Sequence, residues 1–287
     1  MDSIWINAPA KINIGLDVLR RREDGYHEVK MIMQSIRLFD RLTLEKTEKP
    51  GIHLSTNLRY LPVNKDNLVY QSAQMLMEEF KLPGGLNINL EKRIPVAAGM
   101  AGGSTDAASC MLAINDLYNL GLTKRSLMKR GVKLGADIPY CILKGTALSE
   151  GIGEKLSTIP AMPECSILIA KPGIHISTRS VYTNLVLDEN TIHPDIDAMI
   201  AAMKRQDLKE LCDCMGNVLE TVTIPAHPQI AAIKECMMKH GALGSLMSGS
   251  GPTVFGIYED WDQAMAAREK CRELPYKCFV FVTSLYR

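Results

Sequence analysis

The stretch from Ile94 to Ser109, IPVAAGMAGGSTDAAS, has the residue types of a phosphate-binding loop. Gly99, Gly102 and Gly103 are expected to take positive φ and let the backbone approach a ligand, because glycine has no Cβ. Backbone amides beside a helix N-terminus form a positive cradle, which suits the phosphates of a nucleotide. Taken alone, the stretch is also compatible with a turn that packs a helix closely against a strand.

The residues after the glycines predict a helix start. Ser104 and Thr105 are candidate N-cap residues, Asp106 is an early-turn carboxylate, and AASCMLAINDLY continues with an apolar helical face. No Gly-Lys-Ser/Thr follows the glycines, so this is not a Walker loop. The glycine spacing also does not fit the dinucleotide fingerprint G-x-G-x-x-G.

Three further clusters could contribute polar groups to the same chemistry. Ser248 to Gly251, within SLMSGSGPTVFGIY, could bring backbone amides close to the first loop, or form a plain turn before a strand. Lys11 and Asn13 project to one face of a strand, where the lysine is either a positioned cation or an edge residue that aids solubility. Asp137, in GADIPYCIL, is either a partly buried carboxylate with a function or a residue of a helix-flanking turn.

The first half of the chain is predicted to be rich in strands. IWINA, KINIGLDVL, EVKMIMQSI and RLTLEKT show β-type alternation, and Asp24–Gly25 marks a turn. After the strand GIHLST, a helix is expected to open at Asp66, and the strand LNINLEK follows. Thr123 is expected to cap a later helix that ends at Gly135, before a short turn and an extended hairpin formed by DIPYCILKGTALSEGIGE.

The second half mixes strands and helices without a strict βαβ period, which favours an α+β fold. Strands are expected at CSILIAKP, PTVFGIY and KCFVFVTSLY, and helices at TRSVYTNL, IDAMIAAMKR, LKELCDCM, HPQIAAIKECMMKH and WDQAMAAREKCREL. The composition shifts near Pro160–Pro163. We therefore predict two domains, 1–160 and 161–287.

Composition narrows the class of protein. The 287 residues carry a formal charge of +1, which predicts neither a nucleic-acid partner nor a membrane surface. The eight cysteines are scattered apart from Cys212 and Cys214, so a zinc site is not expected, and no metal-ligating residue is assigned. Free thiols without a visible signal peptide predict a cytoplasmic protein.

Together and in this order, the clusters resemble the motifs of the GHMP kinases, which act on galactose, homoserine, mevalonate and phosphomevalonate. The matching segments are Pro9–Asn13, Pro95–Ser109 and Met247–Gly256. A narrower resemblance covers nearly the whole chain and is weakest over Asp188–Gln229. It is to the kinases of 4-diphosphocytidyl-2-C-methyl-D-erythritol in the non-mevalonate isoprenoid pathway, and is carried by residues 8–40, DGYHE, DNL and GADIPYCILKGTALSEGIGE.

The resemblance implies a ribosomal-protein-S5-like N-terminal domain and a ferredoxin-like C-terminal domain. It implies ATP and Mg²⁺ as cofactors, with the metal held by phosphate oxygens and water. Asn67 is implied near the adenine, and the glycine-rich loop around the ATP phosphates. The implied ATP-binding residues are Asn67, Pro95, Val96, Ala97, Ala98, Gly99, Met100, Ala101, Gly102, Gly103, Ser104 and Thr105.

The resemblance also assigns the chemistry of the alcohol substrate. Asp137 is implied as the base for the 2-hydroxyl and Lys11 as its charge partner, while Tyr26 stacks on cytosine and His27 hydrogen-bonds to it. Tyr182 is implied as the opposite stacking face for cytosine, Thr178 as a contact of the erythritol phosphate, and Asn13 as a residue that helps to hold the acceptor.

Alternatives to this assignment remain open. The chain could be a kinase of the same superfamily with another small alcohol, or a non-catalytic descendant that binds a sugar or nucleotide. From the residues alone, Tyr26 and His27 could be ordinary hairpin surface and Tyr182 core. The expected partner is a small-molecule substrate, a cytidine diphosphate derivative of methylerythritol, and the expected state is a monomer or weak homodimer.

Overall fold

The computed structural model describes residues 2–287, which form two compact units that alternate along the chain. Two long strands, β1 (Ser3–Arg21) and β2 (His27–Thr47), pass from one unit to the other. The first unit comprises the residues up to Ala10, Leu38–Val96 and Ala101–Leu143; the second comprises Lys11–Arg37, Ala97–Met100 and Lys144–Arg287.

Helices and strands follow one another without a regular period. The remaining strands are β3 (Gly51–Thr56), β4 (Gly85–Glu91), β5 (Thr146–Gly151), β6 (Lys155–Thr158), β7 (Ser166–Pro172), β8 (Gly244–Met247), β9 (Val254–Tyr258) and β10 (Cys278–Ser284). The helices are α1 (Leu68–Glu79), α2 (Gly102–Leu117), α3 (Lys124–Gly131), α4 (Ile138–Leu143), α5 (Thr178–Asn184), α6 (Ile196–Arg205), α7 (Leu208–Asp213), α8 (Glu220–Ala226), α9 (Gln229–Lys239) and α10 (Trp261–Arg272).

The first unit places helices on a small sheet. The second half of β2 pairs antiparallel with β4, with Arg41 opposite Glu91, and β3 runs parallel to β4. Helix α2 packs against α1 and α4. Its small side chains, Ala107, Ala108 and Ala113, are fully buried, so the helix that follows the glycine-rich loop is fixed by its core contacts.

The second unit contains a separate four-stranded antiparallel sheet in the order β10-β7-β9-β8. Strand β7, SILIAKP, pairs on both sides, and its apolar side chains from Ile167 to Ala170 are fully buried. Helices α9 and α10 pack on this sheet. The first half of β2 pairs with β5, and β5 pairs with β6 in a hairpin that begins later than predicted, since β6 lies beyond the segment 137–154.

Several predicted element boundaries were wrong. IWINA and KINIGLDVL form one continuous strand, as do EVKMIMQSI and RLTLEKT. Helix α1 is capped by Asn67 rather than opened at Asp66, because the Asn67 Oδ1 atom accepts the Val69 N–H at 2.9 Å. Thr123 caps α3 as predicted, but the helix ends at Gly131 rather than Gly135.

Two helices lie in segments where no helix was predicted. IPYCIL forms α4, where a turn was predicted. Its residues from Ile138 to Ile142 are buried in this helix. Helix α8 was not predicted; its sequence, ETVTIPA, contains β-branched residues and Pro225, which have low helix propensity. Among residues 2–287, no helix is both long and apolar enough to cross a membrane.

Candidate active site

The glycine-rich loop reaches left-handed backbone geometry at three positions. Gly99 has φ 71°, Ala97 has φ 51° and Ala101 has φ 54°. Positive φ was expected at Gly99, Gly102 and Gly103. The expectation is confirmed at Gly99 and wrong at Gly102 and Gly103, because these two residues lie in the first turn of α2, where φ is negative. An alanine in the left-handed region is strained, so the strained positions are the two alanines that precede the helix.

The start of α2 also differs from the prediction. Ala101 is the N-cap residue, and it provides no side-chain hydrogen bond. Ser104 and Thr105 therefore lie inside the helix rather than at its cap, and Thr105 Oγ1 is buried without a partner among the described residues. The first N–H groups of an α-helix have no intrahelical acceptor, so an end without a side-chain cap suits an anionic ligand.

Three buried charged side chains hold the two ends of the loop. Lys92 Nζ donates to Asp106 Oδ2 at 2.7 Å and also to the Asp40 carboxylate. Asp40 Oδ1 accepts the N–H groups of Arg93 at 2.5 Å and Ile94 at 2.8 Å. We call Lys92, Asp40 and Asp106 the ionic anchor; it ties the chain entering the loop to the first turns of α2.

The charges in the ionic anchor shift one another's pKa values. Burial raises the pKa of Asp106 well above its usual range, and the nearby Asp40 charge raises it further, against the attraction of Lys92. Burial alone would lower the pKa of Lys92, but the charges of Asp106 and Asp40 outweigh burial and raise it. One ammonium group thus serves two carboxylates, and Asp106 Oδ1 is buried without a partner among the described residues.

The centre of the loop contacts the late glycine cluster, which was one of the two alternatives that the sequence left open, although the contact is made by a side-chain hydroxyl rather than by backbone amides. Ser248 Oγ donates to the Gly99 carbonyl at 3.0 Å and accepts the Asn13 N–H at 3.3 Å. A Cβ added at Gly99 would lie 2.3 Å from the Ser248 carbonyl oxygen. Only glycine therefore fits at position 99, both for its φ and for this close approach.

The two candidate catalytic residues lie in different units. Lys11 is buried, its Nζ donates to Asn13 Oδ1 at 2.6 Å, and its backbone N–H donates to the Met100 carbonyl at 3.2 Å. Asp137 is half-buried immediately before α4, and its carbonyl accepts the Cys141 N–H at 3.0 Å. The structure thus brings Lys11 and Asn13 together; the pairing of Lys11 with Asp137 stays a prediction.

The predicted cytosine-binding residues are partly assembled. The rings of His27 and Tyr182 lie with centroids 5.1 Å apart at an interplanar angle of 40°, and Tyr26 is 61% exposed. Burial lowers the pKa of His27, with a smaller contribution from the Arg21 charge. A neutral imidazole can donate one hydrogen bond and accept another. Thr178 Oγ1 lies 2.8 Å from Ser250 Oγ.

The side chain of Asn67 already makes two hydrogen bonds in the protein. Besides capping α1, its Nδ2 donates to the Pro62 carbonyl at 2.8 Å. An asparagine amide has a second N–H and a second acceptor lone pair, so a further contact to an adenine stays a prediction.

No metal site is formed by protein side chains in the described part of the chain. Over residues 2–287, no group of three or more His, Cys, Asp and Glu side chains is arranged to hold a metal ion.

Sequence reasoning missed residues that hold the loops. The ionic anchor joins residues separated by 14 and 52 positions, and Asn217, which holds the late glycine cluster, lies 30 positions from Met247. Asp106 lies in the glycine-rich stretch and Asp40 ends the matching segment 8–40, but neither position indicates an ion pair with Lys92. Lys92, two residues before the loop, and Asn217 lie in no motif that the sequence analysis used.

Comparisons with known proteins identify the family. The family model described as GHMP kinases N terminal domain matches residues 67–145, and GHMP kinases C terminal matches residues 199–277. The chain belongs to the GHMP kinases. These matches lie on either side of the predicted boundary near residue 160, which itself stays a prediction.

Individual relatives narrow the family further. The chain is 50% identical over 286 residues to the 4-diphosphocytidyl-2-C-methyl-D-erythritol kinase of Lachnoclostridium phytofermentans, covering 100% of this chain and 98% of the relative. A crystal structure of 4-(cytidine 5'-diphospho)-2C-methyl-D-erythritol kinase matches with a TM-score of 0.85 and 33% identity over 99% of this chain and 100% of that one. Homoserine kinase from Cytophaga hutchinsonii, at 19% identity and TM-score 0.81 over 99% and 95% of the two chains, shares the fold.

The GHMP assignment confirms three predictions. The fold is the predicted α+β GHMP kinase fold, the chain is a small-molecule kinase, and within the superfamily it belongs with the 4-diphosphocytidyl-2-C-methyl-D-erythritol kinases. The roles of individual residues rest on the geometry above and are taken up next.

Proposed function

We propose that this kinase transfers the γ-phosphoryl group of ATP to the 2-hydroxyl of 4-diphosphocytidyl-2-C-methyl-D-erythritol, in the non-mevalonate isoprenoid pathway. The observation that carries the proposal is the full-length similarity to relatives that bear this name. The paired rings of His27 and Tyr182 support a cytosine site, since homoserine and mevalonate have no base to contact.

Asp137 is proposed as the general base. An alcohol must lose its proton as it attacks the phosphorus atom, and a carboxylate within about 3 Å of the hydroxyl can accept that proton. Asp137 is half-buried, and an ionised carboxylate is a pure acceptor with two oxygens. Its position before α4 keeps its backbone fixed while its side chain stays available.

Lys11 is proposed as the charge partner. An ammonium group beside the reacting hydroxyl favours the ionised base and stabilises the charge that develops in transfer. The Lys11 side chain is buried and oriented by Asn13 at 2.6 Å. Asn13 is therefore proposed to orient the lysine, in addition to its predicted role of helping to hold the acceptor alcohol.

The glycine-rich loop is proposed to bind the ATP phosphates. The residues present fit this group, because α2 begins without a side-chain cap and Gly99 leaves no Cβ at the closest approach of the two glycine clusters. Mg²⁺ would be held by phosphate oxygens and water, where it would neutralise charge on the transferring group. The protein's own contribution is to position the nucleotide and the alcohol.

The test is a coupled assay of ADP release with the purified protein. We expect turnover with the cytidyl alcohol, and at least about 100-fold lower kcat/KM with homoserine or mevalonate, since these leave the base site empty. If kcat/KM is higher with homoserine or mevalonate than with the cytidyl alcohol, the protein is instead a kinase of that other alcohol. ATP binding without turnover of any alcohol would assign a non-catalytic protein.

The same assay tests the base site through Tyr26. Base–aromatic stacking contributes about 1–3 kcal/mol, so Tyr26→Ala is expected to raise KM for the cytidyl alcohol about tenfold with KM for ATP nearly unchanged. Tyr60→Ala is the matched control, because Tyr60 is also exposed, at 71%, and has no proposed role. An equal rise in both KM values for Tyr26→Ala would contradict the stacking role.

A further inference from the structure

Asn217 uses its side-chain amide to hold the backbone of the late glycine cluster. Its Nδ2 donates to the carbonyls of Met247 and Gly249, each at 2.8 Å. Its Oδ1 accepts the Leu219 N–H at 2.9 Å. The residue is buried, and two carbonyls on one side with an N–H on the other define the orientation of the amide.

Glu220 holds the same backbone from its other side. Its Oε1 accepts the Met247 N–H at 2.8 Å, and its Oε2 pairs with Lys234 Nζ at 2.5 Å. The segment NVLE (217–220) therefore binds both the N–H and the carbonyl of Met247. Lys234, on α9, in turn fixes the carboxylate of Glu220.

The backbone held in this way carries the contacts of the proposed site. Ser248 donates to the Gly99 carbonyl and accepts the Asn13 N–H. Gly249 has φ 59°, and a Cβ placed there would lie 3.3 Å from the Gly99 carbonyl oxygen and 3.5 Å from Asn13 Oδ1. A shift of a few tenths of an ångström in 247–249 would move Ser248 away from Gly99 or Asn13.

We propose that Asn217 and Glu220 are positioning residues for phosphoryl transfer. They fix 247–249, and Ser248 passes that position to Gly99 of the phosphate loop and to Asn13, which orients Lys11. Neither residue touches the substrates in this proposal. The proposal rests on the proposed function, because it assigns Gly99 and Lys11 their roles in the transfer.

The change expected to act most sharply is Asn217→Asp. It retains the side chain's size and its acceptor for Leu219, but it places a carboxylate oxygen against the Met247 and Gly249 carbonyls, which repel it. Misplacement of reacting groups by about 1 Å can lower rates by about 100-fold. We expect kcat to fall about 10- to 100-fold, while KM for the cytidyl alcohol stays within about twofold, because Tyr26 and His27 are untouched.

Asn115→Asp is the matched control. The Asn115 amide also holds a loop, accepting the Leu122 N–H at 2.8 Å and donating to its carbonyl at 3.3 Å, but that loop carries no proposed role. Both variants should lose thermal stability, and only Asn217→Asp should lose kcat per folded molecule. Glu220→Ala is a second variant of the proposed pair, with Glu79→Ala, which breaks the ion pair with Arg130, as its control.

Hydrogen exchange of the ligand-free variants separates the proposal from the proposed function. Faster exchange of the amides of 247–251 in Asn217→Asp or Glu220→Ala, but not in the controls, is expected whatever the substrate is. If the parent does not phosphorylate the cytidyl alcohol, the proposed function fails while this arm still tests the holding of the loop. The proposal is overturned if the folded variants keep parental kcat, or if exchange in 247–251 is unchanged.

Discussion

Different chemistry holds the ends and the centre of the glycine-rich loop. In the first unit, the ionic anchor fixes the ends of the loop with one buried ammonium and two buried carboxylates. In the second unit, the Ser248 hydroxyl and the Asn217 amide fix the middle through bonds to backbone carbonyls and N–H groups. We call Ser248 and Asn217 the neutral anchor.

The difference lies in what each anchor loses when one group is removed. Buried charges depend on one another, and an uncompensated charge left in the interior costs about 3–5 kcal/mol. A neutral hydrogen bond contributes about 1 kcal/mol and can be lost singly. We infer that the ionic anchor mainly determines whether the loop's ends fold, whereas the neutral anchor determines the position of its centre.

The largest expected effect is on stability, from Lys92→Met. The substitution leaves Asp40 and Asp106 buried together without a cation, so we expect a loss of about 3–5 kcal/mol in the free energy of unfolding. Chemical denaturation at neutral pH measures it. Lys30→Met is the control, since Lys30 pairs at 2.8 Å with an Asp197 side chain that is 78% exposed, and should cost at most about 1 kcal/mol. Equal losses in the two variants would show that the ionic anchor is no stronger than a surface pair.

The next effect is expected at the contact between loop and neutral anchor, from Gly99→Ala. The new Cβ would meet the Ser248 carbonyl oxygen at 2.3 Å, in addition to the strain of φ 71°. We expect about 2–4 kcal/mol of destabilisation from left-handed strain and overpacking together. Gly145→Ala isolates the strain, because its φ is 74° and nothing lies within 4 Å of the added Cβ. If thermal unfolding shows the same loss of stability for both variants, the close packing of Gly99 on Ser248 adds nothing to the cost of strain, and this prediction is contradicted.

A smaller effect should appear in the pH dependence of stability. Because the folded pKa of Asp106 is raised above the unfolded value of about 4, the native state binds this proton more tightly. The resulting stability is fully present below pH ~4 and is lost as pH rises through the raised pKa. The unfolding free energy of the parent, minus that of Asp106→Asn, should therefore decrease from pH ~4 upward. A difference that is flat or increases with pH would contradict the raised pKa.

The helices and strands were largely predictable because period and caps are local signals. Thr123 marked the start of α3, and the alternation of apolar residues marked the strands of both sheets. IPYCIL was not predictable as a helix, since six apolar residues satisfy a buried strand equally well. The continuity of β1 and β2 depends on pairing partners that lie far away in the sequence.

The motifs of the site were predictable from the sequence, but most of the residues that hold these motifs in place were not. The order of the clusters was enough to indicate the family, and the contact between Ser248 and Gly99 followed from two small-residue stretches. Of the expected left-handed positions, Gly99 was correct, whereas Gly102 and Gly103 were wrong, and the structure places Ala97 and Ala101 in the left-handed region. Ser248 was a candidate from the sequence, but the ion pairs of Lys92 with Asp40 and Asp106 and the hydrogen bonds of Asn217 are tertiary contacts that neither spacing nor residue type revealed.

The most direct test of the catalytic account is Asp137→Asn, with kcat, both KM values and the melting temperature measured on one preparation. The variant keeps the size of the side chain but cannot accept a proton at neutral pH. Loss of a general base typically lowers kcat about 10²–10⁴-fold, and we expect that loss with both KM values and the melting temperature close to those of the parent. A folded Asp137→Asn protein with near-parental kcat, or one that loses stability while keeping kcat per folded molecule, would contradict the assignment of Asp137 as the base.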